Sequence, residues 1–448
     1  MNNPLKNLFN NRSASNDFLL SKTEAVSVPD AVALEPPQLL EELTRNFPDL
    51  LTGPAFVAQA LERLKTVDSF QALVVRIDPP AADGVAPDAN PPIALQVETA
   101  RILDRFCENR SWQWGKLDRE IFGCFLPLVN GSDEEGRETA LKEALDELQP
   151  ATFSIGSARF PLIDYQRENI LANARKALDH AAFFGPGAVV AFDAVSLNIS
   201  GDHYYQKGDL NQAMAEFTRA LELDPGNVNV HNSLGVCYGV LGAYEKAVKI
   251  FQTAAELAPG ELMPAYNIGL TNLMIGDKET ALKSFLAAVE KDPDVFEPTF
   301  QVGRVYFEIG KPKKALAFLE KATALNPGNA TAHRYLGLCY LDLKKEAAAI
   351  AGLKKAVQLN PNDAQALSAL GYLFDRMGEN PEVTIVFCQQ SVEISPENGL
   401  VRYRLGQLLA KQGALEAALR EFEAAQQLGH DVGKMIETVK DRIAIEIN

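Results

Sequence analysis

A repeat of 34 residues fills the second half of this 448-residue chain and constrains its fold more than any other feature. Prolines recur every 34 residues, with a last one at 35, and a glycine stands ten residues after each. Small residues recur with the same period, each followed four places later by a large apolar residue. These registers are Pro225, Pro259, Pro293, Pro327, Pro361 and Pro396; Gly235, Gly269, Gly303, Gly337, Gly371 and Gly406; Ala213, Ala247, Ala281, Ala315, Ala349 and Ala418; and Phe217, Phe251, Phe285, Leu319, Leu353 and Phe422. Such a period indicates stacked supersecondary units.

Each repeat is predicted to be a pair of helices in close contact. A glycine or alanine at the crossing lets the two backbones approach, and the bulky residue one turn later fills the gap. The proline ends the second helix. We predict seven repeats, at 194–227, 228–261, 262–295, 296–329, 330–363, 364–398 and 399–432, and a capping helix at 433–448. The sixth repeat has one extra residue and Val383 where alanine is expected, which predicts a bulge in its second helix.

This order of Gly, aromatic, Ala, Phe, Ala and Pro resembles the tetratricopeptide repeat family. Stacking of such repeats predicts an all-α superhelical solenoid. The buried stripe falls at places four, seven, eight and eleven of each first helix, and the resemblance implies that places two, five, nine and twelve line a concave groove. Aromatic, arginine and amide side chains there suit a peptide ligand, because they give contact area with few rotamers to freeze. The groove candidates are Asn229, Asn232, Tyr266, Arg304, Arg334, Tyr372, Tyr403 and Gln407.

The first half of the chain has a different periodicity, with short β-type runs between helical stretches. Strands are predicted at 70–78, 111–116, 120–126, 152–159 and 188–192, and helices at 93–109, 134–148 and 165–183. This alternation predicts one α/β sandwich domain with mixed strands over residues 38–193. Residues 1–37 are rich in Asn, Ser and Pro, which predicts a disordered tail or linker.

Three landmarks of this domain resemble the GGDEF-type nucleotide-cyclase family, which makes cyclic di-GMP. Residues 49–54 (DLLTGP) resemble its opening DxLTGL turn, residues 153–158 (FSIGSA) its SIG strand, and residues 172–185 its closing helix. The resemblance implies a nucleotide-cyclase-like sandwich, with metal-binding carboxylates in the first strand and a glycine-rich hairpin for phosphate.

Catalysis is predicted to be lost, because the chain departs from that family at the residues that carry the chemistry. The signature hairpin aligns with 118–122 (DREIF), which lacks both glycines and the glutamate, and a β-carbon there would obstruct a phosphate. Arg76 stands where the family has a metal-binding aspartate, and only Asp78 persists. A positively charged side chain at that place is incompatible with the two metal ions that catalyse phosphoryl transfer, because carboxylates must bind those ions. We therefore predict no catalytic residue, no cofactor and no metal site.

The amino-acid composition limits the class of partner that the chain can bind and the cellular compartment that it occupies. With 43 Lys and Arg against 59 Asp and Glu, the formal charge of −16 repels nucleic acid, and no basic run offsets it. Five cysteines lie far apart without a CxxC pair, which favours reduced thiols over disulfides or zinc. No apolar run fits an export signal or a membrane span, so we predict a cytoplasmic chain without membrane insertion.

The sequence thus predicts a non-enzymatic, bacterial-type scaffold whose repeats bind a protein or peptide of unknown identity and whose cyclase-like domain regulates, dimerises or docks. Two alternatives stay open at this point. One is a nucleotide-sensing or residually active cyclic-dinucleotide signalling protein. The other is an assembly subunit in which both domains serve homo-oligomerisation.

Overall fold

The computed structural model describes residues 37–79, 91–108, 112–128, 136–379 and 381–447. Apart from Pro37, the tail predicted over 1–37 lies outside these residues, as do residues 80–90. The described residues form two units, of which one ends at Ala258 and the other begins at Pro259. The division therefore falls within the repeat array rather than at residue 193.

The first unit contains a five-stranded sheet with helices on both faces. Its strands are β1 (Phe70–Ile77), β2 (Gln113–Asp118), β3 (Ile121–Pro127), β4 (Phe153–Phe160) and β5 (Val189–Ala191). Their order across the sheet is β2-β3-β1-β4-β5, with β4 and β5 parallel and all other neighbours antiparallel. The predicted mixed sheet is confirmed, strand by strand.

Five helices cover this sheet: α1 (Pro37–Asn46), α2 (Gly53–Arg63), α3 (Ile93–Glu108), α4 (Arg137–Leu145) and α5 (Ile170–Ala181). Successive residues of a strand point to opposite faces. On β1, Val75 and Ile77 accordingly pack with α1, α3 and α4, whereas Ala72 and Val74 pack with α2 and α5. The path β1-α3-β2-β3-α4-β4 through this strand order is the split βαβ connection of ferredoxin-like domains.

Seven successive helix pairs follow the sheet in the described chain, and one further helix ends it. The pairs are α6 (Ala194–Gln206) with α7 (Leu210–Leu223), α8 (Val228–Val240) with α9 (Tyr244–Leu257), α10 (Leu262–Ile275) with α11 (Lys278–Lys291), α12 (Phe296–Glu308) with α13 (Pro312–Leu325), α14 (Ala330–Asp342) with α15 (Glu346–Leu359), α16 (Ala364–Met377) with α17 (Pro381–Ile394), and α18 (Gly399–Lys411) with α19 (Leu415–Gln427). The last helix is α20 (Gly433–Ile447). The even-numbered helices from α6 to α18 are the first helices of their pairs.

Glycine permits the close crossing within each pair. A Cβ added at Gly269 would lie 2.6 Å from Cε1 of Phe285, and one at Gly303 would lie 2.8 Å from Cγ of Leu319. Both distances are well below carbon–carbon contact. The predicted partnership between the repeat glycine and the bulky residue of the second helix is confirmed.

The sixth pair differs from the others, but not as predicted. Helix α17 is a continuous α-helix, so the predicted bulge is wrong. The extra residue lies in the turn between α16 and α17, which breaks no helical hydrogen bond. The pattern of α17 is therefore shifted by one residue. Thr384, rather than Val383, stands where the other repeats have the small residue, and Cys388 stands where they have the large apolar one. Thr384 is fully buried, and the Sγ of Cys388 lies 2.5 Å from the position of a Cβ at Gly371.

Helix α5 joins the sheet to the first helix pair within the first unit. The Lys176 ammonium lies 2.7 Å from both carboxylate oxygens of Glu216 on α7, and both side chains are mostly buried. Asp193 caps the start of α6 by accepting a 2.8 Å hydrogen bond from the amide of Ser196. Nδ1 of His180, on α5, lies 3.4 Å from the same carboxylate oxygen. These contacts explain why the first helix pairs cluster with the sheet.

Candidate functional site

First helices of neighbouring repeats contact one another directly in the second unit. We call α12, α14, α16 and α18 together the first-helix row. Side-chain hydrogen bonds that join its members run from Tyr335 to Glu308 at 3.3 Å, from Arg334 to Gln365 at 2.6 Å and from Arg404 to Ser368 at 3.3 Å. The row is therefore a surface whose polar side chains are positioned across repeat boundaries.

The structure places the eight predicted groove residues at different depths. Asn229 is exposed on α8, whereas Asn232 is fully buried on the same helix. Tyr266 on α10 is only 3% exposed, and its ring centre lies 5.6 Å from that of Phe285. Neither buried side chain offers surface to a partner in this structure. The partly exposed members all belong to the first-helix row: Arg304, Arg334, Tyr372, Tyr403 and Gln407.

Arg334 joins α14 to α16. Besides its bond to Gln365, its Nε lies 3.3 Å from Oδ2 of Asp363, and the two side chains are 15% and 8% exposed. Its guanidinium also lies 5.1 Å from the centre of the Tyr335 ring. The charge of Arg334 is thus balanced by the carboxylate that caps the start of α16.

Arg304 belongs to a second charged cluster, centred on Glu308. Its Nε lies 3.3 Å from one oxygen of Glu308, and Nζ of Lys278 lies 3.0 Å from the other. The Tyr335 hydroxyl donates to the same carboxylate, and desolvation raises the pKa of Tyr335. Two cations share one anion here, with a neutral phenol as a further donor.

Tyr403 and Gln407 hold each other in place on α18. The Gln407 amide donates a 2.6 Å hydrogen bond to the Tyr403 hydroxyl. The Tyr403 ring lies 4.7 Å from the ring of His430 and 6.1 Å from that of Phe422. Both side chains are therefore fixed before any partner arrives, which reduces the entropy lost on binding.

Arg404 is a member of the row that the sequence analysis missed. It lies between α18 and α16, partly exposed, with its guanidinium 5.4 Å from the centre of the Tyr372 ring. Desolvation lowers the pKa of this arginine. Arg404 stands at place six of its helix, outside the predicted stripe, and the repeat pattern carries no signal for an arginine there.

In the sheet domain, Arg76 and Asp78 neutralise each other at the end of β1. Nε of Arg76 lies 3.3 Å from Oδ1 of Asp78, and the amide of Gly187 donates a 2.8 Å hydrogen bond to Oδ2. The Asp78 side chain is 1% exposed. Magnesium needs carboxylate oxygens that are free to coordinate it, together with water. The residues at this position therefore do not fit a magnesium ion.

In the turn between β2 and β3, polar groups are likewise already bonded to a neighbouring side chain. The buried ammonium of Lys116 donates hydrogen bonds to the carbonyls of Asp118 and Arg119, and it lies 4.4 Å from the centre of the Phe122 ring. A phosphate-binding turn instead presents backbone amides toward an open space.

Over the whole described part of the chain, no three His, Cys, Asp or Glu side chains converge as metal ligands. None of its described helices is long and apolar enough to cross a membrane.

Two family models match the helical part of the chain. The model for the C-terminal domain of cilia and flagella-associated protein 70 matches residues 227–441. A model for the tetratricopeptide repeat matches residues 201–242. The chain matches no curated protein.

Three of the solved structures that are similar to this chain are YrrB, pilF and MamA. YrrB, described as a tetratricopeptide-repeat protein with an unusual peptide-binding site, is 19% identical over 41% of this chain and 95% of its own, with a TM-score of 0.38. The pilF protein of Pseudomonas aeruginosa is 19% identical over 49% of this chain and 97% of its own, with a TM-score of 0.43. MamA is 27% identical over 37% of this chain and 97% of its own, with a TM-score of 0.32.

Proposed function

We propose that this chain, which carries an array of tetratricopeptide repeats, is a non-catalytic scaffold that binds a peptide segment of a partner protein along its first-helix row. We also propose that the scaffold is cytoplasmic, where its thiols stay reduced. We further propose that residues 194–432 form seven repeats and that residues 433–448 cap the last one.

The observation that carries the proposal is the row of partly exposed aromatic, arginine and amide side chains that contacts with other side chains already hold in place. Tyr372 contacts Arg404, Tyr403 contacts Gln407, and Arg334 contacts Gln365. Tyrosine and arginine dominate the binding energy of protein interfaces because they bury much surface. Fixed rotamers add to the affinity, since less conformational entropy is lost.

A peptide selection tests this function although the partner is unidentified. The full chain is immobilised, random 12-residue peptides displayed on phage are selected against it, and the best peptide is resynthesised with a fluorophore and an amidated C-terminus. Fluorescence anisotropy then compares the wild type with Tyr372→Ala and with the control Tyr340→Ala. Tyr340 is a matched control because its hydroxyl bonds to Glu320 on the second helix α13 instead of joining first helices.

We expect Tyr372→Ala to weaken binding about tenfold or more, as truncation of an interface anchor does, and Tyr340→Ala to leave it within about twofold. Selection of no peptide, or equal losses in the two variants, would contradict the proposed surface. Light scattering over a range of concentrations separates the scaffold from an assembly subunit, which would grow with concentration.

For the sheet domain we propose an inactive, cyclase-like regulatory domain. Support comes from the three sequence landmarks, from the ion pair between Arg76 and Asp78, and from the occupied turn at Lys116. Incubation of the full chain with Mg²⁺ and GTP tests it. We expect no release of pyrophosphate and no retained nucleotide, whereas retention of GTP without turnover would favour the nucleotide-sensing alternative.

A further inference from the structure

Four arginines of the first-helix row lie partly buried, and they differ in how their charges are balanced. Arg402 has the carboxylate of Glu421 at 2.8 Å. Arg334 has the carboxylate of Asp363 at 3.3 Å, and Arg304 has that of Glu308 at 3.3 Å. Arg404 has no carboxylate at ion-pairing distance among the described residues. The neutral Ser368 hydroxyl and the face of the Tyr372 ring are the contacts that its guanidinium makes.

The charge of Arg404 is therefore partly buried without an ion-pair partner among the described residues. Taking a charge out of water costs free energy unless a counter-charge or hydrogen bonds replace the lost solvation. Desolvation lowers the pKa of Arg404 and outweighs the opposing effect of the Asp342 carboxylate, so the nearby charge does not compensate for burial. A guanidinium has five N–H donors, and one Ser hydroxyl accepts from only one of them.

The position of Arg404 keeps it within reach of a ligand. The residue is partly exposed on α18, and it reaches Ser368 and Tyr372 on the neighbouring first helix. Tyr403, the residue before it, is also partly exposed. A segment bound along the first-helix row would therefore pass the guanidinium.

We infer that Arg404 receives the carboxylate of an acidic side chain, Asp or Glu, from the segment bound on the first-helix row. This inference rests on the proposed function and adds to it the chemistry of the partner. A bidentate pair between guanidinium and carboxylate would supply the missing counter-charge in a geometry that arginine favours. Tyr372 and Ser368 border the pair and limit its contact with water.

A carboxylate fits better than a phosphate because an acidic residue lies close by. Asp342 on α14 acts on Arg404 through its charge, and desolvation raises the pKa of Asp342 while Arg404 lowers it. A phosphate monoester carries nearly two negative charges at neutral pH, so Asp342 would repel it more strongly than a singly charged carboxylate.

A double-mutant cycle between the protein and the selected peptide tests the inference. Peptides selected as above are synthesised in three forms: with the acidic residue, with its amide counterpart (Glu→Gln or Asp→Asn), and with phosphoserine at that place. Each form is measured by fluorescence anisotropy against the wild-type full chain, Arg404→Gln and Arg420→Gln. Arg420 is the matched control, because it is exposed on α19 of the same repeat and its replacement removes the same charge.

We expect an acidic residue in the selected peptides, and a loss of about tenfold or more when it is made neutral, as for a charge-assisted hydrogen bond. Arg404→Gln should cause a similar loss with the acidic peptide and no further loss with the neutral one, whereas Arg420→Gln should retain the full preference. Equal binding of acidic and neutral peptides, or a preference that survives Arg404→Gln, would overturn the inference and leave the proposed function standing. Tighter binding of the phosphoserine form would overturn the choice of carboxylate. Selection of no peptide would contradict the proposed function itself.

Discussion

Arg334 on α14 and Asp363 at the start of α16 have Nε and Oδ2 3.3 Å apart, and they compensate each other's charge in a mostly buried position. Arg404, two repeats later, is also partly buried, but it contacts the Tyr372 ring and the Ser368 hydroxyl on α16 instead of a carboxylate. Arg334 is thus ion-paired within the array, whereas Arg404 has no carboxylate at ion-pairing distance among the described residues.

Replacement of these two arginines by methionine should affect stability differently, with a loss at Arg334 and no loss at Arg404. Arg334→Met leaves the buried Asp363 carboxylate without its cation and should lower the free energy of unfolding by about 2 kcal/mol. Arg404→Met removes a desolvated charge and keeps the apolar stem, so stability should stay equal or rise. Urea unfolding followed by circular dichroism measures both. A large loss in Arg404→Met would show that Arg404 is a structural residue.

Gly303→Ala should destabilise the fourth repeat by overpacking. The new Cβ would lie 2.8 Å from Cγ of Leu319 and 3.1 Å from its backbone nitrogen, so the two helices must separate. Overpacking of this kind costs about 1–3 kcal/mol. Gly433→Ala is the control, because a Cβ there meets open space at the start of α20 and alanine favours a helix. Equal stability of the two variants would contradict the close crossing.

Asp193→Asn should reduce stability at neutral pH and have less effect in acid. Desolvation favours the neutral acid, but hydrogen bonds from His180 and Ser196 outweigh it and hold the pKa of Asp193 below its usual value. A lowered folded-state pKa contributes stability above the unfolded pKa, about 3.9, and that stability is lost as the pH falls through the folded value. Asparagine still caps a helix, so the variant isolates the charge. Urea unfolding at several pH values should show a difference from the wild type that narrows below about pH 4; a constant difference would contradict the role of the charge.

The cysteines of the repeats should resist alkylation while the chain is folded. Burial raises the pKa of Cys237 to about 12 and those of Cys339 and Cys388 to about 11. The thiolate is the nucleophile, so reaction with iodoacetamide at about pH 8 should be slow until guanidinium chloride unfolds the chain. Mass spectrometry of the labelled peptides gives the rate for each site. Rapid native labelling of Cys388 would contradict the tight packing of α17.

The sequence predicted regular elements best where one residue type repeats for a physical reason. Glycines at the crossings and the long apolar run of β1 each leave a periodic signal, and the structure has the corresponding helix pairs and strand. Helices α1 and α2 were missed. In α1 the core-facing residues are few, Leu39 and Leu43 one turn apart, which is too short a pattern to stand out.

Burial at the candidate site was harder to predict than the helices themselves. Asn232 and Tyr266 stand at place five of their helices, as Arg334 and Tyr403 do, yet the first two are buried and the last two are partly exposed. Periodicity gives the direction of a side chain, whereas exposure depends on the size of neighbours from other helices. Arg404 was missed for a related reason, because an uncompensated charge is a property of its surroundings in space.

Hydrogen–deuterium exchange of the full chain, with and without the selected peptide, tests the central claim most directly. Peptide bound on the first-helix row should protect amides of α12, α14, α16 and α18 more than those of the second helices α13, α15, α17 and α19, because bound backbone opens less often. The effect should shrink in Tyr372→Ala at the same peptide concentration. Protection confined to the second helices, or to the sheet domain at 37–193, would contradict the account.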